Sequence, residues 1–353
     1  MTEAMQFASD NWAGVPDAVA QALSAAAAGA VPAYGDDDGT AAVSERIAAL
    51  FGCPVSVFYV ATGSSANALS LSALVPPGGV AFAHEGAHVQ SDECNAPLFL
   101  SPGLRILSLP GAAGKLSAGG LDAALERFGP PVVHHGRAAA VTLTNATELG
   151  TVYGPDEVAA IGRVVHGRGL KLHMDGARLA NALAATGCSP AQMTWQAGVD
   201  ALSFGLTKTG GWCAEAVVLF GETGAADFPY LRKRAGHLIS KSRFVSAQFA
   251  ALLADDLWLR LAAHANAMAQ RLHAGLAALP GVSFDFAPQA NALFPAVPKA
   301  MAARLSAAGA AFYEWPDAGF AEPAGPDRVR LRLVASFATA APDVDRFLAV
   351  AAG

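Results

Sequence analysis

The segment KLHMDGARL, residues 171–179, is the clearest indication of the architecture of this chain. A β-rich run over 171–174 ends at the acidic Asp175, with a helical pattern over 155–166 before it and a second β-rich run over 200–204 after it. Short strands that alternate with helices are typical of an α/β fold with a mainly parallel sheet. Such sheets bind ligands at the carboxyl ends of their strands, which makes Asp175 a candidate site residue. The alternative is that Asp175 only caps a helix, which is the more common use of an acid there.

The same alternation extends over most of the chain in both directions. The segments that carry it are helical patterns and β-rich runs at 40–51, 55–60, 65–74, 79–83, 138–143, 216–220 and 234–256, with Thr40 as the predicted cap of the first. From about residue 281 the pattern changes to short β-rich runs with two helical patterns among them. We therefore predict a large domain with a mainly parallel sheet over 1–255 and a smaller C-terminal α+β domain over 256–353.

Composition limits the classes of function that the chain can serve. Hydrophobic residues make up 53% of the 353 residues and charged residues 15%, so the chain can bury a large core and is not mostly disordered. The net charge is −6 with no basic block, so we expect no nucleic-acid partner. No apolar run approaches the roughly 20 residues of a membrane span. No secretory signal precedes the first helix and the four cysteines are scattered, so we expect a cytoplasmic protein with reduced thiols.

A turn of small residues, ATGSSAN at 61–67, lies between a predicted strand and a predicted helix. Such a turn exposes backbone N–H groups beside the positive end of the helix dipole, and this geometry binds phosphate. The hydroxyls of Ser64 and Ser65 would add donors to it. The alternative is an ordinary strand-to-helix turn with a serine cap, which is a common feature.

The segment SFGLTKTGG, residues 203–211, places Lys208 in a glycine-rich loop directly after a predicted strand. Almost no other charge lies near it in the sequence. An environment of this kind disfavours the charged form of an ε-amine and makes the amine a better nucleophile. The alternative is a surface lysine in a loop.

A further set of candidates lies in HEGAHVQSDE, residues 84–93, which holds two imidazoles and three carboxylates. His84 and His88 are four positions apart, as in some helical zinc sites. Gly86 and the lack of acids at metal-ligand spacing argue against such a site, so we predict no metal. Stacking of the His88 imidazole on a flat cofactor is the better interpretation.

The order of these segments along the chain is more specific than any one of them. The phosphate turn comes first, then the histidine, then Asp175 and finally Lys208, which is the order in fold-type-I pyridoxal-phosphate (PLP) enzymes. In that chemistry the lysine forms a Schiff base with the cofactor, the aspartate keeps the pyridine nitrogen protonated, and the turn holds the phosphate. The sequence therefore predicts PLP as the cofactor.

The chain resembles the L-threonine aldolase / β-eliminating lyase family from about residue 7 to residue 347. The matching motifs are SDN at 9–11, YGDD at 34–37, ATGSSAN at 61–67, AHVQSDE at 87–93, MDGARLANA at 174–182, SFGLTKTGG at 203–211 and RLRLVASF at 330–337. The resemblance implies a fold-type-I PLP-dependent transferase fold in which Lys208 carries the cofactor. It further implies that Asp175 pairs with the pyridine nitrogen and that His88 stacks on the ring.

The resemblance also implies roles for residues that surround the ring. Gly63, Ser64 and Ser65 would hold the phosphate, and Arg178 would lie near the ring hydroxyl. Ser9 and Arg332 would bind the substrate carboxylate, and Tyr34 would also contact the substrate; these are the implied substrate residues. Arg332 is preferred to Arg330 because of its spacing to Ser336.

Members of this family are homo-oligomers, so the resemblance implies a homotetramer, or a dimer, with active sites shared between chains. A neighbouring chain would then contribute a cation to the phosphate. Lys233, Lys241 and Arg243 are the candidates, and the sequence does not distinguish among them.

The chain departs from the family pattern in the segment TNATELG, residues 144–150, where many members have a histidine and this chain has Glu148. The implied reaction is the cleavage of L-threonine, L-allo-threonine or a related β-hydroxy-α-amino acid to glycine and an aldehyde. His88 is the first candidate for the base that takes the hydroxyl proton, and Glu148 is the second. β-Elimination or transamination on the same fold is the alternative reaction, and a cofactor-binding scaffold without activity is the alternative class.

Overall fold

The computed structural model describes residues 5–129, 133–221 and 223–353. The strands of its large sheet are β1 (Val55–Val60), β2 (Gly79–His84), β3 (Arg105–Leu109), β4 (Arg137–Thr144), β5 (Lys171–Gly176), β6 (Ala201–Gly205) and β7 (Glu215–Phe220). Their order across the sheet is β1-β7-β6-β5-β4-β2-β3. All neighbouring strands are parallel except that β7 runs antiparallel to both β1 and β6. The predicted mainly parallel sheet is therefore confirmed.

Helices cover both faces of this sheet, which is why three of its inner strands are buried along their whole length. Every residue of β2, β6 and β7 is buried, and their near-continuous apolar sequences are what a parallel sheet between two helical layers requires. The helices of the chain are α1 (Asp17–Ala26), α2 (Asp38–Phe51), α3 (Gly63–Leu74), α4 (His88–Ser91), α5 (Ala96–Leu100), α6 (Ala118–Glu126), α7 (Pro155–Gly167), α8 (Leu179–Thr186), α9 (Pro190–Met193), α10 (Phe228–Arg234), α11 (Arg243–Leu253), α12 (Leu257–Ala277), α13 (Lys299–Ala307) and α14 (Ala341–Ala352).

A second, smaller sheet contains the strands β8 (Ala292–Leu293), β9 (Ala296–Pro298), β10 (Tyr313–Glu314) and β11 (Arg328–Val334). Strand β11 pairs antiparallel with each of the other three. Met5 and Phe7 belong to the hydrophobic core of this sheet, whereas Trp258, near the start of α12, belongs to the core of the large one. The domain boundary at residue 255 stays a prediction.

The segment before α1 links the two sheets. The backbone N–H of Phe7 donates to Ala311 O at 2.9 Å, and the N–H of Val334 donates to Phe7 O at 2.8 Å. Three residues further on, Asp10 lies against Arg178 of the large sheet's domain. The N-terminal segment therefore crosses from the small sheet to the ligand-binding edge of the large one.

Several local predictions differ from the structure. Helix α2 begins at Asp38, and its cap is Asp37, whose carboxylate accepts from the Thr40 N–H at 2.8 Å, so the prediction of Thr40 as the cap was wrong. The helical stretch predicted over 234–256 is wrong in its first third: α10 ends at Arg234, Gly236 leaves the helix with a φ of +77°, and α11 begins only at Arg243. Glycine adopts that conformation without the steric cost that other residues meet.

Candidate active site

A cavity of about 340 Å³ opens at the carboxyl ends of β5 and β6, within the range of roughly 300–1,000 Å³ that small-molecule sites occupy. Its walls include Gly63, Ser64, His88, Asp175, Lys208 and Glu215. The structure therefore brings together the phosphate turn, the histidine, the aspartate and the lysine that the sequence singled out. They come from four separate segments of the chain.

Sheet topology explains this convergence. Strands β5 and β6 are parallel neighbours, so Asp175 near the end of one and the Lys208 loop after the other meet at the same edge. Strand β7 is antiparallel to β1 and β6, so its first residue, Glu215, lies beside the ends of both: it pairs with Val60 of β1 and with Gly205 of β6. The turn that follows β1 and the loop that follows β6 thus face each other across the start of β7.

Asp175 is held by two hydrogen bonds and is only 4% exposed. Its Oδ2 accepts from Asn67 Nδ2 at 3.0 Å, and its Oδ1 accepts from the Ala177 N–H at 3.0 Å. It does not cap α8, because that helix begins at Leu179 without a side-chain cap. Two donors fix the orientation of the carboxylate and leave it facing the cavity.

A chain of polar contacts connects Asp175 to His88. Asn67 Nδ2 also donates to Glu93 Oε1 at 2.7 Å, and the same oxygen is 2.9 Å from His88 Nδ1. The hydrogen bond to Glu93 raises the pKa of His88, although partial burial of the ring opposes this. Since Glu93 is an acceptor, Nδ1 carries the proton in neutral His88, and Nε2 is left as the ring's acceptor.

Lys208 is half-buried in this cavity rather than on the surface. Its charge helps to lower the pKa of Asp10 and opposes the rise in the pKa of Glu215. It also opposes protonation of His88. The interpretation of Lys208 as a surface lysine is therefore not supported by its place in the structure.

The small-residue turn forms the N-terminus of α3, as predicted. Thr62 caps the helix, because its Oγ1 accepts from the Ser65 N–H at 3.1 Å, and the Ser65 hydroxyl donates to Thr62 O at 2.7 Å. Gly63 and Ser64 line the cavity, whereas the donors of Ser65 are already used inside the turn. The geometry thus favours Gly63 and Ser64 over Ser65 as phosphate contacts.

Arg178 lies between two carboxylates at the edge of the cavity. Its Nε and Nη2 donate to the two oxygens of Asp10 at 2.7 and 3.0 Å, and its Nη1 is 3.7 Å from Glu148 Oε1. Burial is the largest single influence and would raise the pKa of Asp10, but the charge and hydrogen bonds of Arg178, with Lys208 and Asn291, together lower that pKa to about 2. Glu148 lies near Arg178, His88 and Arg332, since its charge acts to raise the pKa of each of them.

The two arginines of β11 have different environments. Arg330 is buried and is bound by Asp285 and Asp317. Arg332 donates from Nη1 to Ala8 O at 3.1 Å, next to Ser9, and its buried Nε has no partner. Burial and, second, the charge of Arg178 lower the pKa of Arg332. Among the residues that the structure describes, Arg332 therefore has donors left for an anion, and it lies beside Ser9; that the two bind the substrate carboxylate stays a prediction.

Some predicted site residues do not line the cavity: Ser9, Tyr34, Ser65, Glu148, Arg178 and Arg332. Tyr34 is the one for which the structure shows a separate, exposed environment. Its side chain is 46% exposed, and the Lys233 ammonium lies 5.2 Å from its ring centroid. Arg243 likewise lies elsewhere, with its guanidinium near Gly29 O. Within one chain, these residues do not meet the Lys208 site.

Sequence reasoning missed four side chains that complete the site: Asp10, Asn67, Glu93 and Glu215. Three of them, Asp10, Asn67 and Glu93, belong to the family motifs at 9–11, 61–67 and 87–93. Glu215 had a signal of its own, because it is a carboxylate at the start of the otherwise apolar run EAVVLF. Such a residue in a strand buried on both faces needs a partner or a function.

Among the residues that the structure describes, no group of three or more His, Cys, Asp or Glu side chains is arranged to hold a metal ion. Within the same residues, no helix has the length and apolar character needed to cross a membrane.

Comparison with known proteins gives three consistent results. The model of the β-eliminating lyase family matches residues 6–297. The chain is 44% identical over 309 residues to a low specificity L-threonine aldolase of Pseudomonas aeruginosa, covering 87% of this chain and 88% of that protein. It is also similar to a threonine aldolase of Leishmania major, with a TM-score of 0.91, 27% identity and 98% of both chains covered.

An aspartate aminotransferase of Rhodobacter sphaeroides has a similar fold, with a TM-score of 0.68 and 20% identity over 100% of this chain and 92% of that one. At that identity the likeness concerns the fold alone. Together with the Leishmania structure, it confirms the fold type that the order of motifs predicted.

Proposed function

The chain belongs to the β-eliminating lyase family, and from this premise we propose that it is a PLP-dependent aldolase that cleaves L-threonine, L-allo-threonine and related β-hydroxy-α-amino acids to glycine and an aldehyde. The observation that carries the proposal is the single cavity in which Lys208, Asp175 and His88 meet the turn at Gly63. The 44% identity to a low specificity L-threonine aldolase supports the choice of this reaction within the family.

The residues of the cavity fit PLP in their chemistry. The N-terminus of α3 offers free backbone N–H groups at Gly63 and Ser64 to a phosphate. Asp175, fixed by Asn67 and the Ala177 N–H, offers a carboxylate to a protonated ring nitrogen. Lys208 offers an amine for covalent attachment of the cofactor's aldehyde.

When bound, PLP supplies an aldehyde for covalent attachment and a ring that withdraws electrons from the amino acid. The chain itself holds and orients the reactants. Arg332 and Ser9 hold the carboxylate of the substrate, since Arg332 has unused donors and a guanidinium matches a carboxylate in a bidentate manner. Asp175 keeps the proton on the ring nitrogen.

Two groups are placed to accept the proton of the substrate hydroxyl. His88 has a free Nε2, because Glu93 occupies Nδ1. Glu148 has a carboxylate that Arg178 neutralises from 3.7 Å. We propose His88 as the base. Glu148 is the alternative acceptor of the same proton, because one hydroxyl has a single O–H to donate.

One assay tests the proposed reaction. The purified protein with PLP is incubated with L-threonine, L-allo-threonine and L-phenylserine, and both aldehyde and glycine are measured. Equal amounts of the two products are expected. Release of ammonia or of a keto acid without glycine would contradict an aldolase and point to elimination or transamination.

Arg332→Ala is expected to raise KM for L-threonine by roughly 10- to 150-fold, because the loss of one charge-assisted pair costs about 1.5–3 kcal/mol. Cofactor affinity should change far less. Steady-state kinetics and a PLP titration provide the two measurements.

Arg330→Ala is the matched control, two positions away on the same strand. Because Arg330 is bound by Asp285 and Asp317 inside the small sheet's domain, its loss should lower Tm and leave KM near that of the wild type. The opposite pattern, with KM raised only in Arg330→Ala, would contradict the assignment of Arg332.

L-Threonine and L-allo-threonine are expected to be cleaved with kcat/KM values within about tenfold, a difference of about 1.4 kcal/mol. The physical reason is that Glu148 stands where many family members have a histidine, so the β-substituent meets fewer fixed hydrogen-bonding groups. Competition between the two diastereomers in one reaction measures the ratio directly.

Glu148→Gln checks this interpretation. If the wild type strongly prefers one diastereomer and the variant loses that preference, Glu148 recognises the hydroxyl strictly and the prediction of low selectivity is wrong. A similar ratio in both proteins supports the prediction.

We also propose that the protein acts in the cytoplasm as a homotetramer, or a dimer, with sites shared between chains. The exposed pair of Tyr34 and Lys233 supports this, since it lies outside the cavity of its own chain and is free to contact the cavity of another. Light scattering during gel filtration measures the oligomer size.

A further inference from the structure

Glu215 is a buried carboxyl group for which the reaction has no use. It is the first residue of β7 and is only 4% exposed, yet it lines the same cavity as Lys208 and Gly63. It lies on the sheet side of the phosphate turn, because β7 begins between the end of β1 and the end of β6.

The two oxygens of the Glu215 carboxyl group differ in their hydrogen-bond partners. Thr207 donates to the group from its hydroxyl and from its backbone N–H. Oε2 has no partner among the residues that the structure describes. A methyl group built on Gly205 would be 2.8 Å from Oε2, and one built on Gly63 would be 3.7 Å from it. The unpartnered oxygen thus occupies space that only a glycine at position 205 leaves open, and it lies next to the turn.

Few charges face Glu215. Lys208, on the loop after β6, is the cation that acts on it; Asp175 at the end of β5 and Cys213 in the preceding loop are the other titratable groups. Strand β1 and the start of α3 contribute Val60, Thr62 and Gly63, which do not titrate. Burial raises the pKa of Glu215 to about 7, although Thr207 and Lys208 oppose the rise.

A phosphate group at the turn would favour the protonated form of Glu215 over the ionised form. It brings a charge of about −1.5 to −2 at neutral pH, and an ionised carboxylate beside it would be repelled. A protonated carboxyl group instead has an O–H to donate, and phosphate oxygens are strong acceptors.

We propose that Glu215 takes up a proton when the phosphate of the cofactor enters the turn, and that its protonated carboxyl group donates a hydrogen bond to a phosphate oxygen. This inference rests on the proposed function, because it needs the phosphate of PLP at Gly63 and Ser64. The proton comes from solvent, so cofactor binding is coupled to pH.

The sign of the coupling follows from linkage. Glu215 is ionised in the free protein above about pH 7 and protonated in the complex, so binding consumes a proton in that range. Below pH 7 both forms are protonated, and this residue adds no pH dependence. Above it, affinity for the phosphate-bearing ligand falls by roughly tenfold per pH unit until the carboxyl group of the complex itself ionises.

The test is calorimetry on the full chain, freed of cofactor, with pyridoxine 5′-phosphate as the probe. This compound has the ring and the phosphate but no aldehyde, so it forms no covalent bond with Lys208. Titrations at pH 8 in two buffers of different ionisation enthalpy give the number of protons taken up. The wild type should take up about one proton more than Glu215→Gln, since the amide cannot titrate.

Affinity measured at pH 7 and pH 9 gives a second readout. The wild type is expected to weaken by at least about tenfold more than Glu215→Gln over this interval. Glu157→Gln, the same chemical change at an exposed ion pair with Lys115, should retain the proton uptake and the pH dependence of the wild type.

The outcomes separate this inference from the proposed function. If the wild type binds neither PLP nor the probe, the proposed cofactor is wrong. If it binds both but takes up no more protons than Glu215→Gln, Glu215 stays ionised as a partner of Lys208, and the inference is overturned while the proposed function stands. Glu215→Leu, which also cannot titrate, provides the same comparison if Glu215→Gln fails to fold.

Discussion

Lys208→Ala is expected to lower kcat by at least about 1,000-fold, equivalent to roughly 4 kcal/mol of transition-state stabilisation. Lys208 is the lysine that lines the cavity with Asp175 and His88, and among the residues that the structure describes no other amine lines it. The visible absorbance of the bound cofactor should change at the same time. Steady-state kinetics and absorbance spectra measure both effects.

Lys171→Ala is the matched control for this prediction. Lys171 begins β5 at the opposite edge of the sheet and forms a partly buried ion pair with Asp200. Its removal should leave kcat within about twofold, because Lys171 lies at the end of β5 away from the cavity and does not line it. If borohydride reduction attaches the cofactor to a lysine other than Lys208, the assignment of the site is wrong.

Asp175→Asn is expected to lower kcat by roughly 100-fold or more, about 2.7 kcal/mol, with most of the cofactor affinity retained. A neutral amide does not stabilise a proton on the ring nitrogen as a carboxylate does. The amide also introduces an N–H group where both oxygens of Asp175 accept, from Asn67 and from the Ala177 N–H. Kinetics and a PLP titration on the same preparation separate the two effects.

Asp122→Asn provides the comparison, since Asp122 pairs with Arg168 on the surface. It should have kcat and cofactor affinity close to those of the wild type. A near wild-type kcat for Asp175→Asn as well would mean that Asp175 only supports the local structure.

The predictable part of the site consisted of residues that stand at the ends of elements. Asp175, Lys208 and Gly63 each follow a clear change from β-rich to small or polar residues, and parallel strands bring such ends together. The architecture was predictable for the same reason, because the apolar runs of β6 and β7 require cover on both faces. The direction of β7 was not, since periodicity is the same in parallel and antiparallel strands.

The rest of the site depends on contacts between distant parts of the chain. Glu93 belongs to the site because it forms hydrogen bonds with His88 and Asn67. Asp10 belongs to it because it pairs with Arg178, which is 168 positions away. Sequence patterns report neighbours within one element and carry no information about such pairs. The distinction between Arg330 and Arg332 also needed the structure, because alternate residues of a strand point to the same face.

The N-terminal segment has a consequence for how the chain folds during synthesis. Ala8 O accepts from Arg332, 324 positions later in the chain, and Phe7 is bonded to both Ala311 and Val334. Residues 5–10 therefore leave the ribosome long before most of their partners exist, and contacts of such long sequence separation form late. Asp10 cannot meet Arg178 in its final place until this segment docks, so the substrate side of the cavity is completed only after the small sheet has formed. We expect translation to release a chain whose large sheet is assembled and whose active site is still open.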